Sequence, residues 1–334
     1  MIKTNNQLAS KKNNWVIFED QWILLILISI IAIFSVLTPS GSFLSLRNLQ
    51  NITLDATIIL IIGSGVTFLL IAGGMDLSTG AMAVFSSVTT AKVMVKMVEI
   101  GADIFIIIFI GVICGILSGA MWGLFNGCIV VKTKIPPFIA TLGTQGIALG
   151  LAQVWTGGIN VQNVPTEFQK VFGLGKLEGI IPYPVVVAIF ITVILWIVLA
   201  YTRFGLRTYA IGANLEGSRR VGIDVDRHRI ILYVIVGALA GVTGVIDVAR
   251  YNTASVASHI NTPLSVVSAV LIGGASMYGG RGRMSGTIIG AFIPAVLING
   301  FIVLGIDPFW QNVAVGVVLL VAVQIDQVRR ALRK

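Results

Sequence analysis

The sequence predicts an all-α polytopic membrane protein, and three features support this fold class. Hydrophobic residues make up 56% of the 334 residues and charged residues only 11%, with a mean hydropathy of +0.95. Soluble domains carry about 25% charged residues. About ten apolar stretches come close to the roughly 20 residues that a transmembrane helix needs. The cations cluster at the ends of these stretches, where they orient a chain in the membrane.

The ten predicted spans lie at about residues 21–38, 49–72, 78–98, 104–131, 137–155, 183–201, 230–248, 263–278, 285–304 and 309–325. The third, eighth and tenth fit least well, because the third carries Lys92 and Lys96 near its end and the eighth is short enough for a broken or re-entrant helix. We expect one membrane domain over residues 21–325, an N-terminal tail at 1–20 and a basic tail at 326–334. No cleavage site follows the first apolar run, so it is predicted to be an uncleaved span.

The distribution of Lys and Arg predicts how the chain crosses the membrane. If the N-terminus is cytoplasmic and the spans alternate, 17 of the 23 cations fall inside. Cytoplasmic segments carry an excess of Lys and Arg, so both termini are predicted to be cytoplasmic. The 156–182 loop is then external, and the basic loop at 202–229 is cytoplasmic. The cations left outside are Arg47, Lys92, Lys96, Lys170, Lys176 and Arg250.

Two short segments of the chain resemble each other. Residues 126–138 read NGCIVV and then IPPF, and residues 299–309 read NGFIVL and then IDPF. In the predicted topology the first junction faces the cytoplasm and the second faces outward, which is typical of an inverted repeat. Spans 2–5 are therefore predicted to repeat as spans 7–10. The alternative is a chance likeness between helix ends that contain Gly and Pro.

Residues that carry enzymatic chemistry are scarce. Cys114 and Cys128 lie in one apolar stretch, and His228 and His259 are the only histidines. This pattern predicts no disulfide framework, metal site or cofactor. The glycine-rich run at 279–283 lacks the Lys-Ser pair of a phosphate-binding loop, and neither H-E-x-x-H nor G-x-S-x-G occurs. The chain is therefore not expected to be an enzyme or to hydrolyse ATP by itself.

The basic loop at 202–229 holds six arginines in a chain otherwise poor in charge. It is predicted to contain a short helix, with Asn214 as N-cap, residues 215–221 as two turns and Gly222 as the stop. Arg219 and Arg220 fall in the last turn, where the helix dipole favours cations. A folded basic loop indicates a cytoplasmic partner. The alternative is that the arginines only fix the topology.

The 156–182 loop also contains a helix signal. Pro165 precedes, and Gly173 follows, a run in which Phe168, Val171 and Phe172 fall on one side of a helix. Such a helix would either dock an external partner or lie on the bilayer surface, and the sequence favours neither.

Several motifs occur in order along the chain: Ala72–Gly80 (AGGMDLSTG), Lys134–Gly143 (KIPPFIATLG), Thr202–Gly205 (TRFG), Ala210–Asn214 (AIGAN), Val270–Ser276 (VLIGGAS) and Tyr278–Gly282 (YGGRG). With these motifs the chain resembles the membrane subunits of bacterial ABC importers for monosaccharides, of the ribose, galactose, xylose and autoinducer-2 type. The resemblance runs from about residue 20 to the C-terminus.

The resemblance implies that the short helix of the basic loop is a coupling helix for a separate ATPase subunit. It also implies an extracytoplasmic sugar-binding protein and a second permease chain, in a homodimer or a heterodimer. Two departures from the family pattern occur: Gly217 replaces an alanine, and Ser265 replaces an aspartate, which leaves the substrate open. The residues of the implied coupling site are Asn214, Glu216, Gly217, Ser218, Arg219, Arg220 and Gly222.

Polar residues in the predicted spans are candidates for the solute path. An ionisable group in a span costs about 2.5–3.5 kcal/mol and therefore faces the protein interior. Asp55 and Asp76 are such candidates, with a helix–helix pair and a helix N-cap as their alternative roles. Asn126 and Asn299 fit interhelical hydrogen bonds better than solute contacts.

Further path candidates lie towards the predicted outer surface. Gln145, Gln153 and Trp155 combine amides with an indole, which suits the hydroxyls and the apolar face of a sugar. A path should bind its cargo weakly, so no tight sugar site is expected. The remaining candidates, at the outer end of span seven and its loop, are Asp247, Asn252, His259 and Asn261.

The predicted function is thus the permease subunit of an ABC importer in the cell membrane, which carries a monosaccharide or a sugar-like solute. An ion-coupled secondary transporter of small polar solutes is an alternative, because inverted repeats are common in that class. A permease for autoinducer-2 and a membrane scaffold without transport are further alternatives.

Overall fold

The computed structural model describes residues 22–38, 41–307 and 309–331, and most of them are helical. The described chain contains one short antiparallel ladder, β1 (Lys176–Leu177) with β2 (Ile181–Pro182). The predicted N-terminal tail lies outside the described residues, and the last helix continues into the predicted C-terminal tail. The helices are α1 (Trp22–Leu37), α2 (Leu46–Ile71), α3 (Thr79–Glu99), α4 (Ile104–Lys132), α5 (Pro137–Thr156), α6 (Thr166–Phe168), α7 (Tyr183–Tyr201), α8 (Arg203–Ala213), α9 (Leu215–Arg220), α10 (Val225–Tyr251), α11 (Thr262–Ile272), α12 (Met284–Val303) and α13 (Phe309–Ala331).

Seven of the described helices are long and apolar enough to cross a membrane, namely α2, α3, α4, α5, α7, α10 and α12. Three shorter apolar helices, α1, α11 and residues Phe309–Gln324 of α13, coincide with the other predicted spans. α3 has 21 residues in spite of Lys92 and Lys96, whereas α11 has 11. At 1.5 Å per residue α11 is about 16 Å long, about half the hydrocarbon core. The expectation of a short eighth helix is confirmed.

Helices α4 and α10 pack backbone to backbone in antiparallel orientation. A Cβ atom at Gly119 would meet the carbonyl oxygen of Gly237, and one at Gly237 would meet the carbonyl oxygen of Gly119. Gly123 lies in the same way against the carbonyl oxygen of Tyr233. Small residues allow this close approach, which is typical of helix pairs in membranes. The α4–α10 pair is therefore closely packed, and α3 packs against both helices.

Helix α2 lies at the centre of the bundle, with 83% of its most apolar window buried. Hydroxyl groups join it to its neighbours. Ser64 and Thr192 of α7 share a 3.2 Å hydrogen bond, and Thr67 and Thr287 of α12 share one of 2.6 Å. By contrast, only 22–28% of the corresponding windows of α4, α5 and α7 is buried. Their exposed apolar faces suit contact with lipid or with another membrane subunit.

The 156–182 loop folds over the end of α10. After α6 the chain continues as a π-helix at Gln169–Gly173, in which the Leu174 amide bonds the Gln169 carbonyl. Phe168 and Phe172 stack with ring centroids 5.9 Å apart, but Val171 is 68% exposed. The prediction that Val171 shares their side is therefore wrong, because the wider π turn rotates it outward.

Between α10 and α11 the chain enters the bundle as an irregular segment. We call residues 252–261 the re-entrant segment. It begins at Asn252, whose left-handed backbone (φ 55°) ends α10. It pairs with the 156–182 loop through Val161 and Ala254, whose amides and carbonyls exchange two 3.0 Å hydrogen bonds. Further in, the backbone carbonyl of His259 packs against Gly80, the second residue of α3.

Candidate functional site

The predicted short helix of the basic loop is confirmed as α9, which spans Leu215–Arg220. The side chain of its N-cap, Asn214, accepts a 2.8 Å hydrogen bond from the Gly217 amide. Gly222 has a φ of +83°, and the Gly222 and Ile223 amides bond the carbonyls of Arg219 and Ser218. This pair of bonds is a Schellman motif, which ends a helix at a left-handed glycine.

The helix that precedes α9 was not predicted. α8 covers Arg203–Ala213, and its N-cap is Thr202, whose hydroxyl accepts a hydrogen bond from the Gly205 amide. Thr202 is therefore the sequence signal that was missed. Two glycines weaken the helix propensity of this stretch. At position 212 a glycine is needed because of a tertiary contact. A Cβ atom on Gly212 would meet the carbonyl oxygen of Ile71 at the end of α2.

Helix α8 is fastened to two elements besides α2. The Tyr209 hydroxyl donates a 2.8 Å hydrogen bond to the Gly282 carbonyl in the loop between α11 and α12. The Thr208 hydroxyl and His228 Nε2 on α10 share a hydrogen bond of 2.9 Å. The His228 ring also packs on Phe204, with centroids 4.3 Å apart. Burial raises the pKa of the Tyr209 phenol, so it remains a neutral hydrogen-bond donor.

The outward side of α8 and α9 combines cations with exposed apolar side chains. Leu206 is 69% and Val221 77% exposed. Arg219 forms a 2.6 Å ion pair with Asp226, but both side chains are about half exposed, so the pair contributes little to stability. Of the coupling candidates only Ser218 is buried, and Gly217 is half-buried. The exposed ones are Asn214, Glu216, Arg219, Arg220 and Gly222.

Asp76 lies in a fully buried polar cluster beside the start of α3. Its carboxylate accepts hydrogen bonds from the Ser78 amide (2.8 Å), the Ser78 hydroxyl (2.6 Å) and the Asn126 amide group (3.1 Å). Ser78, rather than Asp76, is the N-cap residue. A carboxylate at this position is favoured by the helix dipole. Asp76 therefore joins α3 to α4 in this structure and faces no open space.

Asp55 forms an ion pair with Arg250, which links α2 to the end of α10. The atoms are 3.0 Å apart, and the side chains are 30% and 17% exposed. This is the helix–helix pair that the sequence left open as the alternative role of Asp55.

The candidates on α5 differ in exposure. Gln145 is half-buried, whereas Gln153 and Trp155 are exposed, and Trp155 packs against Phe85 of α3 with centroids 6.1 Å apart. Asn299 is buried, and its side-chain oxygen accepts a 2.9 Å hydrogen bond from Asn48 of α2.

The structure brings the last group of candidates together around the re-entrant segment. His259 Nε2 bonds the carboxylate of Asp247 on α10, and its Nδ1 lies 3.0 Å from the hydroxyl of Thr262, the first residue of α11. Asn261 donates a 2.6 Å hydrogen bond to Asn312 of α13. Thr262 and Asn312 were not predicted as part of this site. The Asn252 side-chain oxygen is buried without a hydrogen-bond partner.

A bundle with seven described helices long and apolar enough to cross a membrane defines a multi-pass membrane protein. Residues 48–323 match the family described as branched-chain amino acid transport system / permease component. The chain belongs to this family.

Curated relatives cover almost the whole chain. It is 39% identical to the ribose import permease protein of Bacillus subtilis (strain 168), over 90% of this chain and 91% of that protein. Identity to the D-allose transport system permease protein of Escherichia coli (strain K12) is 32%, over 96% of each. Identity to the galactose/methyl galactoside import permease protein of Haemophilus influenzae is 31%, over 100% of this chain and 99% of that protein. No solved structure matches the chain.

Proposed function

We propose that this protein is the permease subunit of an ABC importer that carries a monosaccharide or a sugar-like solute across the cell membrane. The observation that carries the proposal is its end-to-end similarity to import permeases whose names specify ribose, allose and galactose. The chain itself provides the path, while a separate ATPase subunit supplies the energy. An extracytoplasmic binding protein delivers the solute, and a second permease chain completes the path.

The geometry of α8 and α9 supports their role as the contact with the ATPase. Exposed Arg219 and Arg220 lie beside exposed Val221, and such a mixed surface suits a protein partner. Force on α9 would pass through α8 to the ends of α2 and α10, because α8 packs against Ile71 and bonds His228. Two central helices of the bundle would therefore move with the ATPase.

The ten-span topology with cytoplasmic termini belongs to the same proposal. It places the basic loop, the end of α2 and the loop between α11 and α12 on the cytoplasmic side. Contacts between these three elements support this arrangement, since the Gly280 amide donates a 2.8 Å hydrogen bond to the Ile71 carbonyl. The inverted repeat relates α2–α5 to α10–α13. Each half carries a buried asparagine near a helix end, Asn126 in α4 and Asn299 in α12.

Transport by reconstituted vesicles tests the proposed function. The chain would be inserted alone, with an ATPase subunit, and with both the ATPase and a binding protein, and offered labelled ribose, allose, galactose and autoinducer-2. We expect ATP-dependent accumulation only in the complete system, and no sub-micromolar sugar binding by the isolated chain. Uphill uptake by the chain alone, abolished by an ion uncoupler, would establish the ion-coupled alternative instead.

A further inference from the structure

The re-entrant segment begins well inside the bundle. Arg250, next to the end of α10, pairs with Asp55, which is the tenth residue of α2. At 1.5 Å per residue this contact lies about 14 Å along α2 from its start. From there the chain runs further inward until the His259 carbonyl meets Gly80 at the start of α3. Non-helical backbone thus lies alongside α2, α3 and α10, between the ends of these long helices.

One side of the re-entrant segment is packed and the other is open. Ala254 and Val256 are buried, whereas Ala257 and Ile260 are exposed. Irregular backbone at membrane depth is tolerated only where protein covers it or where it borders water, because its polar groups cannot be satisfied by lipid. The open side therefore cannot be a lipid face.

A chain of side-chain contacts fixes the segment in this position. The His259 ring bonds Asp247 on α10 with one nitrogen and approaches the Thr262 hydroxyl on α11 with the other. Asp247 and His259 are both almost fully buried, with side chains 9% and 5% exposed. His259 also has a left-handed backbone, with a φ of 61°. A residue other than glycine in this conformation needs surrounding contacts to hold it.

We propose that the re-entrant segment lines the solute pathway, and that Asp247 and His259 are the positioning residues that hold it there. The inference rests on the proposed function in one respect: the protein must contain an aqueous pathway. The identity of the solute does not matter to it. The backbone hydrogen bonds between Ala254 and Val161 also tie this part of the pathway wall to the 156–182 loop.

Thiol labelling tests whether the segment borders water. Cys114 and Cys128 are first replaced by alanine, and a single cysteine is introduced by Ala257→Cys or, as a control on an exposed apolar helix face, by Met121→Cys. The assembled transporter is treated with a charged, membrane-impermeant thiosulfonate. We expect the cysteine at 257 to react and the one at 121 to remain unreacted. Equal lack of reaction at both positions would overturn the proposal.

The positioning role is tested in the Ala257→Cys background. His259→Asn removes the ring but keeps a residue that tolerates left-handed backbone, so it should fold. We expect labelling at 257 to accelerate about tenfold or more, since a buried bond to a charged group is lost. Thr192→Val, which removes a hydrogen bond elsewhere in the bundle, should leave the rate unchanged. An unchanged rate in His259→Asn would show that the pair does not hold the segment.

A double variant separates positioning from general destabilisation. Asp247→Asn with His259→Asn leaves no unpaired buried charge, so its thermal stability should recover relative to His259→Asn, while fast labelling at 257 persists. Recovery of slow labelling together with stability would contradict a positioning role. Labelling without uptake of any sugar in the panel would refute the proposed substrate class and leave the aqueous position of the segment intact.

Discussion

Gly212 on α8 lies so close to the carbonyl oxygen of Ile71 at the end of α2 that no side-chain atom fits between them. The Gly280 amide bonds the same carbonyl. Three elements that are far apart in the sequence therefore meet at one backbone atom, and any motion of α8 must be passed to α2. This contact makes α8, and not only α9, part of the proposed connection between the ATPase and the bundle.

Gly212→Ala should impair transport without preventing membrane insertion. The added methyl group would push α8 away from Ile71, and overpacking of this kind costs about 1–3 kcal/mol. We expect ATP-driven uptake to fall much more than the amount of assembled transporter. Gly143→Ala is the matched control, because a Cβ atom there meets nothing within 4 Å. Equal uptake by both variants would show that the tight contact is not needed for coupling.

Arg219→Glu combined with Arg220→Glu should abolish association with the ATPase subunit. The double change reverses two exposed charges on α9, whereas the loss of the exposed Arg219–Asp226 pair costs little stability. Co-purification with the ATPase is the measurement, and membrane insertion should be normal. Lys96→Glu, another exposed cation reversal, should leave co-purification intact. Wild-type recovery of the ATPase with the double variant would contradict the assignment.

Local signals and long-range contacts differed in how well they could be predicted. α9 was predictable because Asn214 and Gly222 at its ends are short-range signals. α8 was not, because Gly212 lowers the helix propensity of its sequence, and the contact with Ile71 that requires a glycine there joins residues far apart in the chain. Likewise the pair of Asp55 with Arg250 joins residues 195 positions apart, and no pattern within one span indicates it. The direction of Val171 depended on a π-helix, for which the sequence offered no clear sign.

Gly217→Ala should stabilise α9 less than its helix propensity suggests. Alanine in place of glycine inside a helix gains about 0.5–1 kcal/mol. At this position, however, the new Cβ atom would approach the Asn214 side-chain carbon and nitrogen to 3.0 and 3.1 Å. The N-cap bond of Asn214 would be strained, which offsets the gain. Hydrogen exchange of the α9 amides measures the outcome, and a slowing of several-fold would show that the cap accommodates the methyl group.

Asp55→Asn should destabilise the bundle by leaving Arg250 without its ionic partner. Both side chains are partly buried, so we expect a loss of about 1–3 kcal/mol, the range for leaving a buried polar group unsatisfied. Asp55→Asn with Arg250→Gln removes both charges and should recover much of this loss, since the double change leaves no unpaired ion. Thermal unfolding in detergent measures stability, and sugar uptake is measured in parallel. If the double variant is stable and transports normally, the pair has a structural role; if it is stable but inactive, Asp55 contributes to the solute path itself.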